Sequence, residues 1–227
     1  MILTRLTETP EYAKRREELR LAEIELMRHR ERIAAMRRDL PPGTAVSDYV
    51  FREGPRSLGD GDSLVTTVRL SELFTAPGRP LVIYHLMYGK AQTSPCPMCT
   101  MWIDGFNAVA GHLAQNVDFA IAAAADPAPL RVHARVRGWD RLRLLSCADS
   151  TFKYDLGSED ADGGQESTVS VFTLDPAGSP RHTYSAHPFM SDEINQRGID
   201  LLAPVWHILD LTPQGRDDWY AQLDYGR

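Results

Sequence analysis

Pro80-Leu81-Val82-Ile83-Tyr84-His85-Leu86-Met87, followed shortly by Ser94-Pro95-Cys96-Pro97-Met98-Cys99-Thr100-Met101-Trp102, is the stretch whose reading decides the fold. Its first half runs β-branched, aromatic and aliphatic residues together without charge, the pattern of a buried strand. Beyond the cysteines, Trp102, Ile103, Phe106, Val109 and Ala110 recur at three- and four-residue steps, the period of a helix with one apolar face. Strand, dithiol, helix is the order in which an α/β pattern presents a redox-active cysteine pair.

Downstream the alternation continues. The helix is expected over 97 to about 115, a strand over Val117–Ala122, a helix from Pro127 through Arg137 and a strand over Leu142–Ser146. Short β-α-β-α-β connections of this kind imply parallel strands. The acidic, glycine-containing stretch Asp155–Gly164 reads as a mobile surface loop. Thr168–Leu174 and Arg181–Ser185 flank Asp175-Pro176-Ala177-Gly178-Ser179, a hairpin signature. An apolar tail, Ile199–Asp210, follows. Upstream, Asp48–Phe51 and Ser63–Val68 are short strand-like pieces separated by a turn-rich spacer.

Residues 9 to about 40 read as one long helix, with Thr9 as N-cap, Pro10 at the first helical position and Pro41-Pro42-Gly43 as the stop. Tyr12, Leu19, Leu26, Ile33 and Leu40 recur every seven residues, while residues 11–39 carry nine Lys/Arg and seven Asp/Glu. Such a stripe serves either a solvated helix packed on the body of the protein or a homodimer partner helix. The expected organisation is a helical arm over 1–43 and an α/β domain over 44–227.

The 227 residues suffice to bury a full core, and a net charge of −6 gives no electrostatic reason to expect nucleic acid or an anionic membrane surface as partner. No apolar stretch approaches the length of a membrane span. The beginning, Met1 to Glu8, lacks the apolar segment of an export signal. Three cysteines do not form a secreted disulfide framework, so the cytoplasm is the expected compartment.

A thiol attacks a disulfide only as thiolate, and a free cysteine is mostly protonated at neutral pH. Cys96 at a helix N-terminus would have unpaired amides and the positive dipole end beside its sulfur, with Pro97 as first helical residue. Cys99, one turn on, can then resolve a mixed disulfide on Cys96. The competing readings are a zinc site, for which no second ligand pair appears, a cysteine pair kept for packing, and a copper or haem-related thiol relay. Cys147 reads as an inert buried thiol, His85 and His207 as satisfied, half-buried histidines, and Trp102 as core or as a cap over the dithiol. No nucleotide-binding motif appears, so neither cofactor nor metal is expected.

Several stretches resemble the thioredoxin-like superfamily and, more closely, a bacterial domain-of-unknown-function family of predicted dithiol-disulfide oxidoreductases. They are Leu81–Gly89, Cys96–Cys99 with Trp102 and Asp104-Gly105-Phe106-Asn107, Gly138-Trp139, Ser170-Val171-Phe172, His182-Thr183-Tyr184 and Trp206–Pro213. The resemblance implies a thioredoxin-like fold with a central mixed sheet flanked by helices and a redox pair at Cys96 and Cys99. Leu144–Ser150 and Tyr154–Gly157 are similar to the extra strand and turn of peroxiredoxins. Thr93 matches a peroxiredoxin threonine, Gly89 stands where that pattern has proline, and Thr168 takes the place of the thioredoxin cis-proline. The resemblance therefore implies substrate contacts at Thr93, Pro97 and Thr168, with Thr168 over the sulfur. The expected activity is thiol-disulfide oxidoreductase on a protein or small-molecule disulfide. A peroxiredoxin-like peroxidase and a non-catalytic thioredoxin-like binding module are the alternatives.

Overall fold

A computed structural model describes residues 7–191, 193 and 197–225. Met1–Leu6, part of the stretch read as lacking an export signal, lie outside the described residues. The chain divides into two units, the first reaching to Pro41 and the second running from Pro42.

The first unit is helix α1, Pro10–Arg38. Thr9 caps it by accepting the Tyr12 N–H at 3.2 Å, and Arg37 and Arg38 place positive charge at the negative end of the dipole. Ion pairs one turn apart, Arg15 with Glu18 and Arg20 with Glu17, brace its surface. None of its residues is buried, and Tyr12, Leu19, Leu26 and Met36 on the apolar stripe are exposed.

The second unit is built on an eight-stranded sheet. Its strands are β1 (Thr44–Ala45), β2 (Val50–Glu53), β3 (Thr66–Arg69), β4 (Leu81–Leu86), β5 (Asp118–Ala123), β6 (Arg143–Ser146), β7 (Thr168–Leu174) and β8 (Pro180–Ala186). The order across the sheet is β1-β8-β7-β4-β5-β6-β2-β3. β4, β5 and β6 are parallel, joined through helices α2 (Pro97–Leu113) and α3 (Pro127–Arg137). The β7–β8 hairpin lies antiparallel on the other side of β4, and β2–β3 adds an antiparallel hairpin beyond β6. The order and directions of β4–β8, with α2 and α3 as crossovers, make this a thioredoxin-like fold. A short helix α4 (Phe152–Asp155) follows β6, and helix α5 (Pro204–Asp210) begins the tail.

Continuous apolar runs make β4 and β5 buried on both faces, as a central parallel strand requires. One face packs Tyr84, Leu86, Ile121 and Ala123 against Cys99, Trp102, Ile103 and Phe106 of α2. The other packs Leu81, Ile83, Ala120 and Ala122 against Phe51, Leu70, Phe152 and Phe172. Gly138 closes α3 with φ 70°, a left-handed cap that a side chain would strain. At Gly43 any Cβ would sit 2.0 Å from the His182 carbonyl oxygen, so the close approach of β1 to β8 depends on glycine.

Two expectations change. Asp155–Gly164 is a closed turn rather than a loose loop: the Asp160 carboxylate accepts the N–H groups of Asp162 and Gly164, Glu159 bridges to Gln165, and Ser158 is fully buried. Short acidic side chains here organise their own backbone instead of repelling it. His85, expected half-buried and satisfied, is fully buried, and neither ring nitrogen has a hydrogen-bond partner among the described residues. It stacks on Phe152 at 5.0 Å, and burial, with Lys153 next, holds it neutral.

Candidate active site

Helix α2 begins with Cys96 at its N-cap and Pro97, which has no N–H to leave unpaired, as its first residue. The entering loop is closed by the Cys96 N–H donating to the Met87 carbonyl at 3.0 Å and the Ala125 N–H donating to the Tyr88 carbonyl at 2.7 Å. Thr100 returns its hydroxyl to the Cys96 carbonyl at 3.1 Å. The C-terminal end of β4 thereby fixes where the first sulfur stands.

The two thiols are free and differ in access: Cys96 is half-buried, Cys99 is 1% exposed. The Cys96 side chain makes no cap hydrogen bond. Nevertheless the Cys99 thiol points its positive end at it, as do the amides of Cys99 and Met98 and the Tyr220 hydroxyl. Against the cost of burial, these hold Cys96 down to about 6. Cys99 moves the opposite way. Burial, and then the neighbouring Cys96 charge, keep it protonated well above the ordinary thiol range. One accessible thiolate beside one buried thiol can attack, then resolve.

Tyr220 is a residue that sequence reasoning missed. Its hydroxyl stands 3.7 Å from the Cys96 sulfur, and burial followed by that contact raises its own pKa to about 12, so it remains a donor. The tail carrying it is anchored in several places. Trp206 meets Trp219 edge-on at 5.5 Å and tilts against Trp102 at 6.4 Å, while Arg216 lies over the Trp206 ring at 4.8 Å. Arg216 also pairs with Asp200 and Asp210 at 2.8 and 2.6 Å. Arg137 of α3 pairs with Asp104 of α2 and donates to the Leu223 carbonyl at 3.2 Å. The one signal in the sequence was Trp219-Tyr220, an aromatic pair in an otherwise polar segment.

Of the residues expected to touch substrate, Thr168 lies elsewhere than expected. Thr93 is exposed in the entering loop, and Pro97 is half-buried at the start of α2. Thr168 does not lie over the sulfur. It pairs with His85, on the face of the sheet turned away from α2, and its hydroxyl is committed to Ser158 at 2.9 Å and His187 at 3.0 Å. The alternation of β7 sends Val169 to the dithiol face instead. Cys147 is 2% exposed, donates its thiol to the Ala123 carbonyl at 3.2 Å and is pushed up to about 12 by burial. Trp102 is core, packed beside Cys99. His207 leaves its Nε2 buried and without a partner among the described residues. Among the described residues, no group of three or more His, Cys, Asp or Glu side chains is arranged to hold a metal ion.

Fold and cysteine pair together define a thioredoxin-like protein with a CPMC sequence at the start of a helix. The chain belongs to the DUF899 family, described as bacterial protein of unknown function, whose family model matches residues 1–225. No curated protein matches the chain in sequence. Among solved structures it is similar to the Mycobacterium tuberculosis AhpC, at 18% identity and TM-score 0.47 over 80% of this chain and 99% of that one. It is also similar to Vibrio vulnificus Prx3, reduced and in complex with H2O2, at 18% identity and TM-score 0.47 over 72% and 97%. Xanthomonas campestris Peroxiredoxin Q aligns at 16% identity and TM-score 0.41 over 53% and 73%. Similarity at that level says nothing about what Cys96 reacts with.

Proposed function

We propose that the protein is a thiol-disulfide oxidoreductase in which Cys96 attacks and Cys99 resolves, with a protein or small-molecule disulfide as partner. The observation that carries this reading is the opposite displacement of the two thiols: Cys96 down to about 6 and within reach of solvent, Cys99 up and buried. In the first step the Cys96 thiolate bonds one sulfur of the substrate disulfide, the substrate S–S bond breaks, and the other half leaves as thiolate. In the second, Cys99 gives up its proton and attacks Cys96, the mixed disulfide breaks, and the second half leaves and is protonated. Two electrons pass from dithiol to substrate, and the protein is left with a Cys96–Cys99 disulfide. Thr93, three residues before Cys96, and Pro97, next to it in the chain, are the candidates for contact with the incoming disulfide. A reducing cytoplasm suits a dithiol that must be returned to this state.

Turnover of small disulfides and of peroxide, compared between wild type and Cys96→Ser, tests the reading. Disulfide turnover should fall by at least about a hundredfold in the variant, since the attacking thiolate is gone. Equal turnover in both proteins would sink the proposal. A wild type that prefers peroxide to disulfides by orders of magnitude would instead select a peroxidase, with Cys96 passing through sulfenic acid.

A further inference from the structure

We propose that Tyr84 is a catalytic residue of the resolving step, its buried hydroxyl donating a hydrogen bond to the Cys99 sulfur as that sulfur becomes a thiolate. The inference rests on the dithiol reading above and adds a residue to it.

Strand β4 alternates. Ile83 faces the side lined by Phe152 and Phe172, and Tyr84 faces the side lined by Cys99, Trp102 and Phe106. Tyr84 is fully buried, its ring edge-on to Phe106 at 5.3 Å. Its hydroxyl has no hydrogen-bond partner among the described residues. The polar groups that act on it are Cys99 first, then Cys96, and the Ser167 hydroxyl just before β7. A buried, unpaired hydroxyl is unfavourable in the state described, and a phenylalanine would fill the same space without it. The gain from such a group lies in another state of the site, and Cys99 is the neighbour whose charge changes.

The order of events explains why a donor is needed there. Once Cys96 is tied up in a mixed disulfide its charge is gone, and burial is what still opposes ionisation of Cys99. The titratable groups around Cys99 are Cys96 from the start of α2, Tyr220 from the tail and Lys153 from α4. Tyr220 stands against Cys96, and the Lys153 ammonium donates to the Leu86 carbonyl at 2.9 Å. The hydroxyl left free to turn to Cys99 is that of Tyr84. It donates without giving up its proton, since burial holds its own pKa far above the ordinary tyrosine value. The Cys99 proton passes to the departing sulfur or, where that leaves as thiolate, to solvent, so the balance of the step is unchanged.

Tyr84→Phe tests this with a symmetrical nitroaryl disulfide, whose two halves are released as coloured thiolates in successive steps. The first release reports attack by Cys96 and should stay within about twofold of wild type. The second reports resolution by Cys99 and should slow about tenfold at neutral pH, its pH profile moving up by about one unit. Equal slowing of both releases, or an unchanged second release, would overturn the assignment. Wild type failing to give a second release would instead overturn the dithiol reading itself. A purely structural Tyr84 predicts an unmoved pH profile. Should the variant not fold, the unsubstituted protein still decides. Ionising Cys99 at high pH should shift a tyrosine C–O infrared band that is absent from the same titration of Cys99→Ala. No such band overturns the proposal.

Discussion

Cys96 owes its lowered pKa to its neighbours, and the largest influence is the other cysteine. The ordering of those influences makes a graded prediction. Alkylation of Cys96 should be half-maximal near pH about 6, and Cys99→Ala should move that midpoint up further than Tyr220→Phe does. On the acid side of the midpoint each unit of rise lowers the thiolate fraction about tenfold, so rates measured below neutrality resolve both shifts. Identical midpoints in all three proteins would remove the neighbours from the account. Lys153 offers a second test at this scale. Burial lowers its pKa, so in the window below 10.5 the unfolded chain binds a proton that the folded one does not. Wild-type stability should therefore rise with pH through that window, and Lys153→Met should lack the rise in chemical denaturation run at a series of pH values. Cys99 and Cys147, both pushed up, act with the opposite sign above 9.0, so the comparison is read below that pH. The cysteine pair was legible in the sequence because its spacing is local. Lys153 and Tyr84 were not, since nothing local marks a lysine as buried or a hydroxyl as unpaired.

In a strand, one position changes the face on which a side chain lies. Thr168 was expected beside the sulfur from its place in the sequence, yet the β4–β7 register puts it opposite His85, bonded to Ser158 and His187. Thr168→Val should thus weaken the fold rather than the attack by Cys96. Stranding the fully buried Ser158 hydroxyl costs about 1–3 kcal/mol, to be read from the denaturation midpoint. A loss of Cys96 attack with stability intact would return Thr168 to the site. Helix α1 poses the other question at this scale. Its boundaries, Pro10–Arg38, were legible because cap, proline and stop signals are local. What covers Tyr12, Leu19 and Leu26 was not. A seven-residue apolar repeat is what two-stranded coiled coils bury. The expected outcome is self-association through α1, with light scattering falling to the single-chain mass in a Leu19→Glu, Leu26→Glu protein.

Across the whole molecule, the parallel core could be read from apolar runs and helical periods, while the positions of the flanking pieces could not. Asp48–Phe51 and Ser63–Val68 became strands shifted toward Val50–Glu53 and Thr66–Arg69, because pairing with a partner strand sets where each begins. The C-terminal segment was least legible of all, since its aromatic residues find their partners on α2 and α3 only after folding. Tyr220 is separated from Cys96 by 124 residues, and the two meet at 3.7 Å. A polypeptide emerging from the ribosome presents its nucleophile long before the tyrosine exists. Until the later segment has been made and has docked, Cys96 lacks one of the donors that keep it ionised. The full lowering of the Cys96 pKa therefore arrives only with the docked C-terminal segment.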